Sequence, residues 1–334
     1  MNRIIKMIIP VLLVLVSVRC HNDSTVMMPN VTGAINEVLL ILNNSKWDDT
    51  VGHTYLDILA QEQLALNQSE PIFDVLRMPH AGFNNIFHKH RSVVINNTDP
   101  KYTEPKIIIQ HDVWAKTQIV INVYAPDDLS AVELLMKNKD MIVDQLNVAE
   151  RNRIMELNRK NPERGIYSQL MEKHKLGIFA PSGYKMDVDT TDFIWLSLES
   201  PAILQGVFIY HYDFDALKPL TPEFLIAQRN KFTRKYVPGN LSGSYMTTEM
   251  FIPPVYSEIL YKDRQFYELR GLWTLENGFM GGPFISFTTV DQENKRIVTA
   301  EGYVFAPNKD KKNYIRQLEA IVYSLVIPED LKEE

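Results

Sequence analysis

Only one cysteine, Cys20, occurs in 334 residues. No intramolecular disulfide is therefore possible, although an oxidising compartment stays compatible with the chain. Glycine is also scarce, at 14 residues, about half its usual share. That argues for regular helices and strands and against a glycine-rich repeat or linker protein. Positive charge is in deficit: 35 Lys and Arg stand against 41 Asp and Glu, a formal net charge of −6. Removing residues 1–19 would take Arg3, Lys6 and Arg19 with them and leave −9. A body that acidic is no general nucleic-acid binder, because phosphate binding needs a basic face. The HExxH zinc helix, the GxxxxGK[ST] phosphate loop and the GxSxG nucleophile elbow are all missing. Neither a cofactor nor a metal site is expected.

What is present is an ordinary globular composition, 45% apolar and 23% charged, so disorder is expected only at the ends. Arg3 and Lys6 form a short basic start. Met7 to Val18 is an apolar run of about a dozen residues, short of the roughly 20 that span a bilayer but of signal-peptide length. Cys20 follows directly. This arrangement suggests a lipoprotein signal over residues 1–19, with Cys20 acylated through its thiol as the first mature residue. Arg19 is discordant, because Gly, Ala or Ser usually precedes such a cysteine. An ordinary cleaved signal with an incidental cysteine, and an uncleaved signal anchor, are the alternatives.

Residues 20–33 are polar and read as a flexible tether. Residues 34–44 read as a first strand, and 47–64 as a helix with Asp or Thr as cap. A further strand over 91–97 and a hairpin over 106–126 follow, then one long helical pattern from Asp127 or Asp128 to about Leu157, broken at Asn161-Pro162. The second half restarts with a hairpin over 175–200 and a strand over 203–214. A helix over 220–237 has Thr221 as cap and Pro222 at its first position. A long meander and a closing helix over 311–325 complete the chain, the helix carrying Ile315, Leu318, Ile321 and Val322 on one face. Strands cluster with strands, which favours an α+β class over a doubly wound sheet. The expected organisation is two halves, 34–160 and 161–327, each a mainly antiparallel sheet packed with helices. Residues 328–334 are expected to be a disordered tail. Val123-Tyr124-Ala125-Pro126 and Val304-Phe305-Ala306-Pro307 each end a strand and precede a helix, an echo that fits a duplicated topology or simply good helix-entry chemistry.

Four segments carry a family resemblance: QSEPIFDV (68–75), NLSGSYMTTE (240–249), ELRGLWTLENGFMGGPFIS (268–286) and YVFAP with KKNYIRQLEAIVYSL. With the lipoprotein-type start, they resemble the Bacteroidetes family known as domain of unknown function 4837, over about residues 34–326. The resemblance implies a lipid-anchored protein of a Gram-negative cell envelope, in the outer membrane, facing either the periplasm or the exterior. It implies no catalytic residues.

The candidate ligand-binding residues are Arg270, Trp273, Gly281, Gly282 and Ser244. Gly281-Gly282 can bring backbone N–H groups close to a ligand, with Arg270 as a cation and Trp273 as a flat apolar wall. The plainer reading is a hairpin turn at Gly281-Gly282, with Trp273 in the core. Ser244 lies in a Gly-Ser loop able to form an anion nest or to be an ordinary loop. His80, His88 and His90 read as an exposed loop rather than a metal site, and Glu70 and Asp74 as cap and turn residues. The functional expectation is a binding or scaffolding module that meets the membrane through its lipid and takes an envelope protein or small ligand as partner. An envelope hydrolase or other enzyme with a site near 240–285 is the alternative.

Overall fold

The computed structural model describes residues 28–332. The class is α+β, with two sheets and, among the described residues, six α-helices. The first sheet has strand order β2-β1-β3-β5-β4, formed by β1 (Glu37–Ile41), β2 (Asp74–Met78), β3 (Ser92–Thr98), β4 (Lys106–His111) and β5 (Ile119–Ala125). β1 pairs in parallel with β2 and β3, and β3 in parallel with β5; only β4 runs antiparallel. The central strands are buried on both faces. Val38 and Leu40 face a core shared with α1 (Thr50–Leu59), α2 (Asp128–Lys137) and α3 (Lys139–Lys160). Leu39, Ile41, Val93 and Ile95 face a smaller cluster that Phe83 and Trp114 cover. Continuous apolar runs such as VLLIL belong to strands buried in this way.

The second sheet is antiparallel throughout. Its order is β10-β11-β12-β13-β8-β7-β6, made by β6 (Lys185–Asp189), β7 (Phe193–Ser200), β8 (Ile203–Asp213), β10 (Val255–Tyr261), β11 (Arg264–Glu276), β12 (Gly281–Asp291) and β13 (Arg296–Phe305). β9 (Tyr245–Glu249) pairs with the end of β11, beyond the segment that pairs with β10. On one face lies α6 (Lys312–Val322), with Ile315, Leu318, Ile321 and Val322 packed over Val207, Ile285, Phe287 and Val298. On the other lies α5 (Pro222–Tyr236), where Phe232 meets Phe193, Tyr210 and Tyr236 in a stack of rings. Thr221 caps α5 as expected, accepting from Phe224 N–H. Beneath α5, Arg229 and Glu301 form a fully buried bidentate pair.

Several expectations need correction. The two sheets differ in strand order and in pairing sense, so the topology is not duplicated, and the Ala-Pro echo is helix-entry chemistry. The long helix is two: Asn138 ends α2, its side-chain amide and backbone N–H both donating to Leu134 C=O, a competition with the helix that asparagine makes readily. α4 (Arg164–His174) fills the stretch between the break at Asn161-Pro162 and the hairpin expected from 175, where no element was expected. Residues 29–32, expected in the tether, are tied down by backbone bonds to Lys89, Arg91 and Lys116. Pro328–Lys332 is a short 3-10 helix, and Asp330 in it accepts from Arg264.

Candidate functional site at the seam between the sheets

α3 from the first half lies against α6 from the second, and this contact defines the seam. The closing helix has no capping side chain of its own. Glu70 supplies one from the other half, accepting from the backbone N–H groups of Lys311 and Lys312 at 2.8–2.9 Å. A carboxylate there also meets the positive end of the helix dipole. Asp74 accepts from Lys312 Nζ at 2.6 Å. The cap role expected for Glu70 is thus played across the seam, on residues 241 and 242 positions later in the chain.

Arg316 and Glu319 lie on α6, and Tyr323, just past its end, stacks on Phe287 of β12. Arg316, Glu319 and Tyr323 line a cavity of about 560 Å³ with Arg151 of α3 and Glu268 and Arg270 of β11. Glu319 is almost wholly buried. Arg151 donates to it at 2.9 Å, Arg316 at 2.8 Å and Arg270 lies at 3.3 Å. Arg270 also forks onto Glu268 at 2.7 and 3.0 Å, and Tyr323 Oη donates to Glu268 at 2.7 Å. Arg316 reaches Asn36 and Asn147, so it ties three segments together. Burial alone would raise the Glu319 carboxyl. Arg316, Arg270 and Arg151 outweigh burial and hold it down at about 2. Such a group stays ionised at neutral pH and is a poor proton donor or acceptor for catalysis. The cluster is an ion-pair network that locks the halves together.

A second cavity, of about 700 Å³, opens on the same seam beside the last turns of α3. Ile154, Leu198 and Ile321 give it apolar walls, and Arg91, Lys116, Arg153 and Lys160 give it positive charge. Arg153 donates to Glu150 at 3.0 Å and to Ser92 Oγ at 2.8 Å, and Arg91 donates to Glu150 at 2.5 Å. One buried carboxylate therefore serves two guanidinium groups. The Nε–H of each, and the hydroxyl of Tyr184, are buried without a hydrogen-bond partner. Tyr184 is 4% and Arg153 9% exposed. Buried polar groups are partnered in the great majority of cases, so three exceptions around one cavity are informative.

The five residues expected to bind a ligand are not brought together. Arg270 lines the charged cavity. Trp273, three residues on along β11, faces the α5 side, where its indole N–H donates to Val304 C=O at 3.2 Å. Gly281 and Gly282 are not the expected turn: they start β12, paired with Thr274 and Trp273. They line, with Trp273, a separate cavity of about 440 Å³. Ser244 Oγ is used within its own loop, donating to Leu241 C=O and accepting from Leu241 N–H. The expected histidine loop is corrected in part: His90 is buried, with Nδ1 3.0 Å from Ser92 C=O, and His88 stacks on Trp114. Among the described residues no group of three or more His, Cys, Asp or Glu is placed to hold a metal ion. Cys20 lies outside the described residues.

Of the polar residues lining the two seam cavities, the sequence pointed to Arg270 alone as a binding candidate. Arg151, Arg153, Glu268, Glu319, Arg316, Tyr323 and Tyr184 were missed. One signal was there: Lys312, Arg316, Glu319 and Tyr323 repeat at helical spacing, a second stripe beside the apolar one.

An α+β protein whose two halves meet, α3 against α6, at a charged, cavity-bearing seam is the class defined by fold and site. Residues 163–324 match the family model described as domain of unknown function DUF4837, and residues 31–159 match that of domain of unknown function DUF8532. The chain thus carries domains of unknown function, and the resemblance expected over 34–326 divides between two models. No curated protein matches the chain. Among solved structures, LpqN, involved in cell envelope biogenesis of Mycobacterium tuberculosis, is similar at 12% identity and a TM-score of 0.27, over 45% of this chain and 82% of its own. The human StarD13 lipid transfer and protein localization domain is similar at 9% identity and a TM-score of 0.23, over 48% and 94%. At these scores neither likeness carries an argument. No helix among the described residues is long and apolar enough to cross a membrane.

Proposed function

We propose that the protein is a binding module of a Gram-negative cell envelope, lipid-anchored in the outer membrane at Cys20, with its ligand site in the seam cavity beside the end of α3. The observation that carries the binding site is the set of buried, unpartnered donors on Arg91, Arg153 and Tyr184 around a 700 Å³ cavity. That volume lies inside the range of about 300–1,000 Å³ usual for small-ligand sites. The converging carboxylates of the neighbouring cluster are neutralised by arginine, which supports binding over proton-transfer chemistry. The residues offered for an enzyme near 240–285 do not share one site.

The anchor rests on the sequence pattern, and mass spectrometry of the mature N-terminus tests it. An acylated Cys20 is expected; an unmodified terminus, or cleavage elsewhere, sinks it. The binding site is tested by native mass spectrometry of the protein purified from membrane extracts. A non-covalent adduct is expected on the wild type and not on Leu198→Trp, which fills the cavity. Retention of the same adduct by a folded Leu198→Trp would remove the site assignment.

A further inference from the structure

The seam cavity has two chemically distinct parts. Ile154, Leu198 and Ile321 line it with hydrocarbon, and Leu157 stands at its rim with 61% of its surface exposed. Exposed leucine beside a cavity is unremarkable alone, but here it continues the apolar wall outward. The polar part is cationic. Arg91, Lys116, Arg153 and Lys160 line it, against Glu156 as the one lining carboxylate and Glu150 behind. Lys116 and Lys160 are more than half exposed and share Glu156 at 3.8 and 2.6 Å. The buried donors without partners are two guanidinium N–H groups and one phenol, all of which can donate to an anion. Apart from the Tyr184 hydroxyl, which can also accept, no buried side-chain acceptor without a partner lines this cavity. Its unmet demand is for negative charge, and its walls demand an apolar chain.

We infer that the cavity takes a single-chain amphiphile with an anionic head, a carboxylate or phosphate monoester, the head held by Arg91, Arg153 and Tyr184 and the chain lying along Ile154, Leu198 and Ile321. This deepens the binding function proposed above and rests on it. Asn30 and Val31 also line the cavity, about ten residues after Cys20. An extended chain of that length spans at most roughly 35 Å, so an acylated Cys20 would keep the cavity mouth close to a membrane, the store of such amphiphiles.

The test is titration of the full mature chain with oleate, with 1-oleoyl lysophosphatidate and with oleyl alcohol, followed by isothermal calorimetry and by the shift in melting temperature. One-to-one saturation by oleate or by the lysophosphatidate, with oleyl alcohol weaker by tenfold or more, is expected, and the tighter of the two anions identifies the head. Tyr184→Phe should weaken the anion about tenfold, the scale of one hydrogen bond to a charged group. The same variant should leave the melting temperature of the ligand-free protein unchanged or higher, since its hydroxyl has no partner to lose. Arg153→Lys, which keeps the charge but loses the planar fork, reports on the head independently if Leu198→Trp fails to fold. Equal binding of oleyl alcohol, no saturation by either anion, or full affinity in Tyr184→Phe and Arg153→Lys would overturn the inference. If neither anion binds while the wild type still carries an adduct that Leu198→Trp lacks, the ligand class is wrong and the binding site stands.

Discussion

Glu319 is a residue whose environment reverses its ordinary behaviour. A buried carboxylate is normally pushed toward its neutral form, but three arginines keep this one charged. Removing its charge leaves buried cations with less compensation. Glu319→Gln should therefore destabilise the protein by about 3–5 kcal/mol, the scale for breaking a buried pair, measured by urea denaturation at pH 7. A loss below ~1 kcal/mol would show that the network is better solvated than its burial implies. The pH dependence has a definite sign. The folded carboxyl lies at about 2 and the unfolded one near 4.3, so its contribution is complete above the unfolded value and is lost as pH falls toward the folded one. The stability gap between wild type and Glu319→Gln should shrink between about pH 5 and pH 2. A gap that is constant across that window would refute the ion-pair account.

At the scale of elements, the β11–β12–β13 core shows why a glycine pair sits where a turn was expected. Trp273 pairs directly with Gly282, and its indole crosses that position to reach Val304 C=O. A Cβ on residue 282 would fall 2.1 Å from Val304 O and 3.2 Å from the indole nitrogen. Gly282→Ala must shift a backbone or expel the ring, so it should cost on the order of 1–3 kcal/mol and lower the thermal midpoint. A neutral variant would mean that the strands separate more easily than their pairing suggests. The turn itself lies just before, around Asn277, which adopts a left-handed φ of 54°. In the first sheet the runs VLLIL, VVIN and IVINV are strands buried on both faces. Unbroken apolar runs of this kind are a mark of parallel strands, whereas the antiparallel expectation rested on strands clustering with strands and failed there for three of four pairings.

For the whole molecule, the seam predicts cooperation. The closing helix of the second half is capped by Glu70 of the first, and the Glu319 network draws arginines from both. Two halves joined this way should unfold in one transition, with far-ultraviolet circular dichroism and tryptophan fluorescence coinciding. Glu70→Ala should cost about 0.5–2 kcal/mol, as the loss of a helix cap does, and should begin to separate the two curves. Separate transitions in the wild type would show that the seam couples the halves only weakly.

The sequence by itself determined what depends on neighbours along the chain. The Thr221 cap and Pro222 start of α5, the apolar face of α6, the hairpin of β4 and β5 and the α+β class all follow from local spacing, turn chemistry and periodicity. It also gave the resemblance that DUF4837 bears out over residues 163–324. Tertiary structure alone decided what depends on partners far apart. Arg316 and Glu319 look like a solvated helix face until Arg151 and Arg270 arrive from 165 residues before and 46 residues before Arg316. Tyr184 looks like a core aromatic until its hydroxyl is left without a partner beside Arg153. Burial of charge and an unmet hydrogen bond are properties of an assembled surface, and no window of sequence contains them.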